Sequence, residues 1–401
     1  MRWDTVIFEA CKQANEDDVD LKKLTKALKL AGSDWLNENK ILERGLWSMS
    51  VLEKLLQVPG IDVNQPDEDG WPPLWYAMRE GRADTVEALL QAPGIDSVNA
   101  LGPDDQSLLV YAIADQEFDV VRVLLQADGI DVNIQDGDGG DGWTPLMSAT
   151  GHVDIMKLLL RFKDIRINIA NYDGRTALST AVSSGNVDCI RLLLRQKDIN
   201  VNHSDNEGQT ALSIACEQEY TSSGPNGISE QRYVDAVHLL LRHKDINVNH
   251  SDNDGKTALY IACEKGSLNT VNALLNFDPH DDDKYDAASF QTNQSVDINK
   301  GPGELTPLDI AIKHEHWDIV VRLEDIPGTK KPSYKHNKGY INARNKATAH
   351  DAKLKMIADN IASKSKTPGA GDLATILGRQ GHFLPKPVES SGTYMQFVKK
   401  E

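Results

Sequence analysis

The chain has 401 residues, of which 40% are hydrophobic and 26% charged, with a formal net charge of -17. This composition is typical of an ordered protein with a sizeable core. No run of eighteen apolar residues occurs, so we expect no membrane insertion. The first residues lack a basic segment followed by an apolar stretch, so we expect no secretion. The expected location is therefore the cytoplasm or the nucleus.

The charge is unevenly distributed. From Glu324 onward there are 14 Lys or Arg against 7 Asp or Glu, which leaves about -24 on the first 323 residues. Such an acidic body repels phosphates, and we therefore expect no nucleic-acid partner. The four cysteines lack the spacing of a metal site or a disulfide scaffold, so we predict buried thiols, no metal and no cofactor.

Residues 1–66 form an N-terminal cap followed by degenerate repeat sequence. The first 30 residues indicate a helical cap, and ILERGLWSMSVLEKLLQVPGIDVN indicates one further repeat before residue 67.

Residues 67–323 repeat one pattern. The copies include DGWPPLWYAMREGRADTVEALL, DGWTPLMSATGHVDIMKLLL, DGRTALSTAVSSGNVDCIRLLL, EGQTALSIACEQ and DGKTALYIACEKGSLNTVNALL. Two degenerate copies are SLLVYAIADQEFDVVRVLL and ELTPLDIAIKHEHWDIVVRL, and junctions such as PGIDVN and KDINVN separate the copies. Gly142 and Gly174 are 32 residues apart, and Gly208 follows 34 residues later. We count seven repeats in this range.

Each part of the pattern has a physical role. Asp-Gly favours a tight turn with positive φ at glycine, and the following Thr is a helix N-cap. Pro145 and Pro307 lie in the first helical turn, which tolerates proline. Apolar residues at helical spacing, such as Val187, Ile190 and Leu193, predict a face that one repeat cannot bury alone, so the array is the folding unit.

These residues resemble the ankyrin repeat, whose signature is D-x-x-G-x-T-P-L-H-x-A-A. The resemblance implies an all-α ankyrin-repeat solenoid of helix–turn–helix repeats with β-hairpin turns, plus a C-terminal helical or irregular tail. The junctions resemble those of ankyrin proteins of filamentous fungi, which indicates fungal-type repeats. The signature His is replaced in every copy, for example by Trp75 and Met147.

Three features interrupt the repeat. Insertions near 220–232 and 277–295 predict exposed loops. The repeat at Gly142 lacks two residues before Gly151, which predicts a first helix about half a turn short and a notch beside it. Residues 324–401 form a basic tail, in which ATAHDAKLKMIADNIASKSK indicates an amphipathic helix that closes against the acidic repeats.

The resemblance implies that partners contact the hairpin tips and the concave face of the first helices. We apply this expectation to the matching positions of this sequence and give weight to its many aromatic residues. The candidate binding residues are then Trp71, Trp75, Arg79, Tyr111, Asp115, Trp143, Met147 and Arg175. Aromatic and arginine side chains dominate binding energy at interfaces. For Trp75 and its neighbour Tyr76, filling space in the core is an equally good interpretation.

Acidic residues recur just before the turn glycine, at Asp69, Asp104, Asp141, Asp173, Glu207 and Asp254. These residues could give the surface affinity for a basic partner, or they could be present only because Asp-Gly favours the turn. The second interpretation is the stronger one.

The leading interpretation is a scaffold whose concave surface binds a protein or peptide, a basic one included, or its own C-terminal tail, with no nucleic-acid or membrane partner. The chain has no recognisable catalytic motif, and no catalytic residue is assigned. The alternative is an unusual enzyme or small-molecule binder with a Trp-lined pocket at residues 71–152. Acid/base cyclisation or isomerisation would there use Asp115, Glu117, His152 and Arg79.

Overall fold

The computed structural model describes residues 3–12, 20–38, 40–46, 48–102, 104–137, 141–221, 228–275, 295–330, 339, 341–346 and 348. In this part of the chain every regular element is helical, and β pairing is limited to single bridges. Contacts divide the chain into two units, Met1–Asn253 with Asp278–Gln294 and Asp254–Phe277 with Ser295–Glu401. Each unit is described by itself.

The first unit begins with four helices: α1 (Trp3–Lys12), α2 (Leu21–Glu38), α3 (Ile41–Gly45) and α4 (Met49–Leu56). Helix α1 packs on α2 and α3, and α2 also packs on α4. Their shared core includes Ile7, Leu24 and Leu52, none of which is exposed. An apolar stripe on each helix therefore holds this N-terminal group together.

Five helix pairs follow in the first unit. They are α5 (Pro73–Arg79) with α6 (Ala83–Leu90), α7 (Leu108–Ala114) with α8 (Phe118–Leu124), α9 (Pro145–Ser148) with α10 (Val153–Leu159), α11 (Ala177–Ser183) with α12 (Val187–Leu194), and α13 (Ala211–Thr221) with α14 (Ile228–Leu241). Short 3-10 turns span Ser97–Asn99 and Ala149–Gly151. The predicted helix–turn–helix repeat is confirmed.

The first helix of a repeat begins where the sequence predicts a cap. The Thr176 hydroxyl oxygen accepts a hydrogen bond from Ser179 N–H, and the Ser179 hydroxyl oxygen accepts one from Thr176 N–H. Pro145 occupies the first turn of α9 after the N-cap Thr144. The second helix buries most of the predicted stripe, because Ile190 and Leu193 are completely shielded from solvent while Val187 is half-buried.

The turns between repeats are tight. Three of them are closed by single antiparallel bridges, Leu101 with Ser107, Ala170 with Thr176, and Ser204 with Thr210, in place of longer hairpin strands in the described residues. Gly174 has a φ of 78°, as the Asp-Gly pattern predicts. The side-chain hydrogen bond inside that turn comes from Asn171, whose Oδ1 accepts Arg175 N–H at 2.8 Å.

An asparagine ladder joins successive repeats, and its rungs in the first unit are Asn37, Asn64, Asn99, Asn133, Asn168 and Asn202. At the rung Asn168, Nδ2 donates to Asp198 O at 2.7 Å and Oδ1 accepts Asn200 N–H at 2.8 Å. Each asparagine thus satisfies one backbone carbonyl and one backbone N–H of the next junction.

The insertion near 220–232 differs from the predicted loop. Helix α13 continues to Thr221 and α14 begins at Ile228, so both ends of the insertion are helical. The buried Tyr233 holds the lengthened α14, because its hydroxyl donates to Ser183 O at 3.1 Å. Of the second insertion, near 277–295, all but the last residue lies outside the described residues.

The second unit contains two further pairs, α15 (Ala258–Lys265) with α16 (Leu268–Leu275) and α17 (Pro307–Lys313) with α18 (Trp317–Glu324). Asn299 makes the same ladder bonds there, to Gly328 O and Lys330 N–H. Residues 341–346 are helical, and the Arg344 guanidinium lies 2.8 Å from the Asp325 carboxylate. Apart from Thr348, the predicted amphipathic tail helix falls outside the described residues.

Candidate functional site

The turn-tip row is a set of side chains at the tips of consecutive turns in the first unit, namely Trp71, Leu101, Trp143, Tyr172 and Arg175. Leu101 and Tyr172 are 39% and 52% exposed, which makes them unusual among the large apolar residues. Trp71 and Trp143 are half-buried, and Arg175 is exposed. A row of partly exposed apolar rings with an arginine has the composition of a binding hot spot.

Neighbouring turns in the row are packed directly on one another. Gly102 is pressed against the Trp71 ring, since a Cβ at position 102 would lie 2.9 Å from Trp71 Cζ3. Gly142 is similarly close to the Tyr172 ring. Tyr172 N–H also donates to Asp141 O at 3.1 Å, and its hydroxyl donates to Asp136 O at 3.1 Å. These contacts fix the positions of the exposed rings before any partner arrives.

Trp71 rests on an aromatic cluster. The rings of Trp71 and Trp75 are 5.1 Å apart, and Trp75 meets Tyr111 edge-on at 5.7 Å. Trp75 is only 2% exposed, so the expectation that it contacts a partner is wrong and the core interpretation holds. Its Nε1–H is buried and has no hydrogen-bond partner among the described residues. Trp75 supports Trp71 from beneath, while Trp71 and Tyr111 keep part of their surface in solvent.

The shortened repeat at Gly142 contains Met147, which was predicted to contact a partner. The repeat at Gly142 does have a short first helix, because α9 has four residues and continues only as a 3-10 turn. That part of the notch prediction is confirmed. Met147, however, is 1% exposed, since it occupies the inward-facing side of α9. The side chain fills the core of the shortened repeat and cannot line a pocket.

Four residues belong to the enzyme alternative: Arg79, Asp115, Glu117 and His152. Each makes a contact of its own. The Arg79 guanidinium lies over the Tyr76 ring at 5.2 Å, and His152 packs edge-on against Phe118 at 5.1 Å. The Glu117 carboxylate lies beside Gly81, and Asp115 is the C-cap of α7. No described contact joins these four groups into an acid/base constellation.

A cavity of about 310 Å³ lies beside the N-terminal helices, and its described lining contains neither a tryptophan nor any of the four residues of the enzyme alternative. It is formed by α1, α3 and α5, and its lining includes Phe8, Glu43, Tyr76 and Arg82. Burial, followed by the nearby Asp67 charge, raises the pKa of the Glu43 carboxyl. Asp67 in turn accepts a hydrogen bond from the Tyr76 hydroxyl, which raises the pKa of Tyr76 to about 12.

The acidic row before the turn glycines is exposed at its five positions in the first unit: Asp69, Asp104, Asp141, Asp173 and Glu207. Asp254 lies in the second unit and is also exposed. Inside the turns, other side chains accept the backbone hydrogen bonds: Asp67 accepts Trp71 N–H, and Asp205 accepts Gln209 N–H. In the first unit the turns therefore do not depend on the five acidic side chains before the glycine position, and these five side chains are exposed to solvent.

Two polar features escaped the sequence analysis. Arg175 Nε lies 3.6 Å from the Asp205 carboxylate, whose side chain is 3% exposed. Asp136 is also buried and accepts Ser107 N–H at 2.8 Å, and burial raises its pKa. The alignment of Asp136 with Asn171 and Asp205 in the repeat pattern is the signal that could have found it.

Comparison with known families identifies the repeat. The family model described as ankyrin repeats (3 copies) matches residues 46–136, 104–171, 135–205, 164–223 and 228–326, which together cover more than half of the chain. The chain belongs to the ankyrin-repeat family. Ankyrin repeats generally serve as protein-interaction scaffolds. The matches do not confirm the fungal type.

Solved ankyrin-repeat structures are similar to this ankyrin-repeat protein. EF0377, an ankyrin repeat protein, is 24% identical over 51% of this chain and 97% of its own, with a TM-score of 0.45. The ankyrin repeat domain of Bcl-3, a member of the IkappaB family, is 26% identical over 61% and 95%, with a TM-score of 0.48. A domain from Acinetobacter baumannii AYE is 28% identical over 51% and 97%, with a TM-score of 0.44.

No curated protein matches the chain. No described helix is long and apolar enough to cross a membrane. Among the described residues, no group of three or more His, Cys, Asp or Glu is arranged to hold a metal ion. All four cysteines are buried free thiols, and burial raises the pKa of Cys189 to about 11.

Proposed function

We propose that this ankyrin-repeat protein is a protein-binding scaffold whose turn-tip row receives a segment of a partner protein. The observation that carries the proposal is the exposure of Leu101 and Tyr172 in line with Trp71 and Trp143. Burying such rings removes apolar area from water, and their fixed positions reduce the entropy lost on binding. A cytoplasmic or nuclear location remains a prediction.

The expected partner segment is basic and carries apolar side chains. The exposed acidic row runs through the same turns as the aromatic rings, which favours a positively charged partner through electrostatic steering. We also infer that the basic tail, residues 324–401, is an internal partner, because its 14 Lys or Arg against 7 Asp or Glu give it a charge opposite to that of the acidic row. The enzyme alternative gains no supporting observation from the described contacts.

The test is selection of peptides on the full chain from a random display library, followed by affinity measurement. We expect the selected peptides to combine Lys or Arg with aromatic or aliphatic residues. Trp143→Ala with Tyr172→Ala should weaken binding of the best peptide by about 10- to 100-fold, because each substitution removes an anchor that is at least partly exposed. Leu30→Ala with Phe118→Ala removes exposed apolar side chains outside the row and the tail and should leave the affinity unchanged.

Selection of no saturable binder, or equal affinity for both double variants, would contradict the proposal. Circular dichroism spectra of both variants should match that of the parent chain, because all four substituted side chains are at least partly exposed.

A further inference from the structure

A basic depression lies on the N-terminal helices of this acidic protein. Lys22, Thr25, Lys26 and Lys29 of α2 and Lys54 of α4 line a depression of about 540 Å³. The three α2 lysines are exposed and Lys54 is half-buried. Among the residues that the structure describes, no acidic side chain belongs to this lining, although the first 323 residues carry a charge of about -24. We refer to these four lysines as the lysine depression.

The helical geometry of α2 explains why the lysines converge. Lys22, Lys26 and Lys29 are spaced i, i+4 and i+7, so they share one face of the helix. The opposite face is buried through Leu24 and Leu28, which packs α2 on its neighbours. Because α2 also packs on α4, Lys54 is brought to the edge of the same face.

The remaining lysine of this segment shows the contrast. Lys23 projects to another side of α2 and is paired with Asp20 at 2.9 Å. Within the depression, Lys26 has a like-charged neighbour about one helical turn away on each side, Lys22 and Lys29. Such repulsion between like charges destabilises a helix. A bound multivalent anion removes this repulsion and gains attraction from all four ammonium groups at once.

The charge spacing selects the chemistry of the anion. Lys22 and Lys29 are about 10 Å apart along the helix axis at 1.5 Å per residue. An extended acidic peptide presents carboxylates on one side about 6.6 Å apart, so roughly two charges face the row. Two phosphate groups bring about three to four negative charges into the same length. Lysine is also a common phosphate ligand because its ammonium is a compact point charge.

We propose that the lysine depression binds a small anion carrying two or more phosphate groups. The site lies on helices α2 and α4, whereas the turn-tip row belongs to the repeats from Trp71 onward. This proposal is therefore independent of the protein-binding proposal, and either one can fail alone.

The test is isothermal titration of the full chain with inorganic tripolyphosphate in metal-free buffer at low ionic strength. We expect saturable binding that weakens as salt increases. Lys22→Gln with Lys26→Gln and Lys29→Gln should weaken it about tenfold or more, because three surface ion pairs are removed. Glutamine keeps the helix propensity and most of the side-chain length.

The matched control is Lys163→Gln with Lys197→Gln and Lys244→Gln. These lysines are also exposed, lie in three repeat junctions of the same unit, and give the same change of net charge. The control variant should retain the parent affinity within about twofold. Equal weakening by both triple variants would show that only the net charge matters and would overturn the proposal.

Two further ligands complete the test. Orthophosphate should bind at least tenfold more weakly than tripolyphosphate. Tighter binding of a polyglutamate peptide than of tripolyphosphate would assign the site to an acidic protein segment. Binding to phosphatidylserine vesicles without binding to tripolyphosphate would assign it to a membrane surface. Either result would overturn the proposal, as would absence of saturable tripolyphosphate binding.

Discussion

At the scale of single residues, the junction asparagines connect the repeats through the backbone. Each ladder side chain makes one donated and one accepted hydrogen bond, so no simple substitution reproduces both. The PGIDVN and KDINVN junctions are recognisable in the sequence, but their role could not be predicted from it. The reason is physical, because a bond across about 30 residues depends on how repeats stack, which local pattern does not contain.

Asn168→Ala should destabilise the protein by about 1–2 kcal/mol, because it leaves Asp198 O and Asn200 N–H without their partner. The measurement is the midpoint of urea unfolding followed by circular dichroism. Gln126→Ala removes an exposed amide at the end of a second helix and should shift the midpoint little. Equal shifts for the two variants would disprove the ladder's role.

Gly102→Ala should disturb the aromatic cluster. Its new Cβ would meet Trp71 Cζ3 and Trp75 Cζ2 at 2.9 Å each, and overpacking of this kind costs about 1–3 kcal/mol. Near-ultraviolet circular dichroism and thermal unfolding measure the effect. Gly151→Ala is the control, because a Cβ at position 151 meets nothing within 4 Å. An unchanged tryptophan signal in Gly102→Ala would contradict the packing described.

Asp136 gives a pH-dependent prediction. Because burial raises its folded-state pKa above the ordinary value of 3.8, folding favours the protonated carboxyl. The contribution of the Asp136 carboxyl to the free energy of unfolding is therefore most favourable at low pH and is lost as pH rises through the raised pKa. Asp136→Asn keeps an oxygen for Ser107 N–H and should gain stability relative to the parent chain as pH rises above about 4.

Urea unfolding of both chains across the acidic range measures this difference, with Asp173→Asn in an exposed turn as the charge-matched control. A stability difference between Asp136→Asn and the parent chain that does not vary with pH would refute the argument.

At the scale of elements, the sequence predicted the helices well where the repeat is regular. The caps at Thr176 and Thr306 and the short α9 follow from local residues, and the structure has them. The insertion near 220–232 was predicted as a loop because it is rich in Ser and Gly. Its ends are helical instead, because packing of residues such as Tyr233 on an earlier repeat overrides local preference.

Tyr233→Phe should lower stability by about 1 kcal/mol, because it removes the hydroxyl that donates to Ser183 O from a buried position. Tyr172→Phe loses a bond of the same 3.1 Å length to Asp136 O, but water reaches that exposed side chain. We therefore expect a smaller loss for Tyr172→Phe in chemical denaturation. The reverse order would show that α14 does not rely on Tyr233.

At the scale of the whole molecule, the fold was predictable because repetition makes each weak local signal appear many times. The site was only partly predictable. The sequence identified Trp71, Trp143 and Arg175 as candidates, but it also proposed the buried Met147 and left Trp75 open between surface and core. Every helix carries side chains on all sides, and which side is buried depends on how the repeats stack. Tyr172 was not predicted because it lies two residues before the turn glycine, one position before the acidic row, where the repeat pattern prescribes no residue type.

The central claim is that partners bind along the turn-tip row, and hydrogen–deuterium exchange with a selected peptide tests it most directly. Free and bound protein are compared, and peptic fragments that contain Trp71, Trp143 and Tyr172 should exchange more slowly in the complex. Fragments from the second helices of the same repeats, such as Val187–Leu194, should not change. Protection confined to the second helices or to α1–α4, with the turn tips unchanged, would contradict the claim.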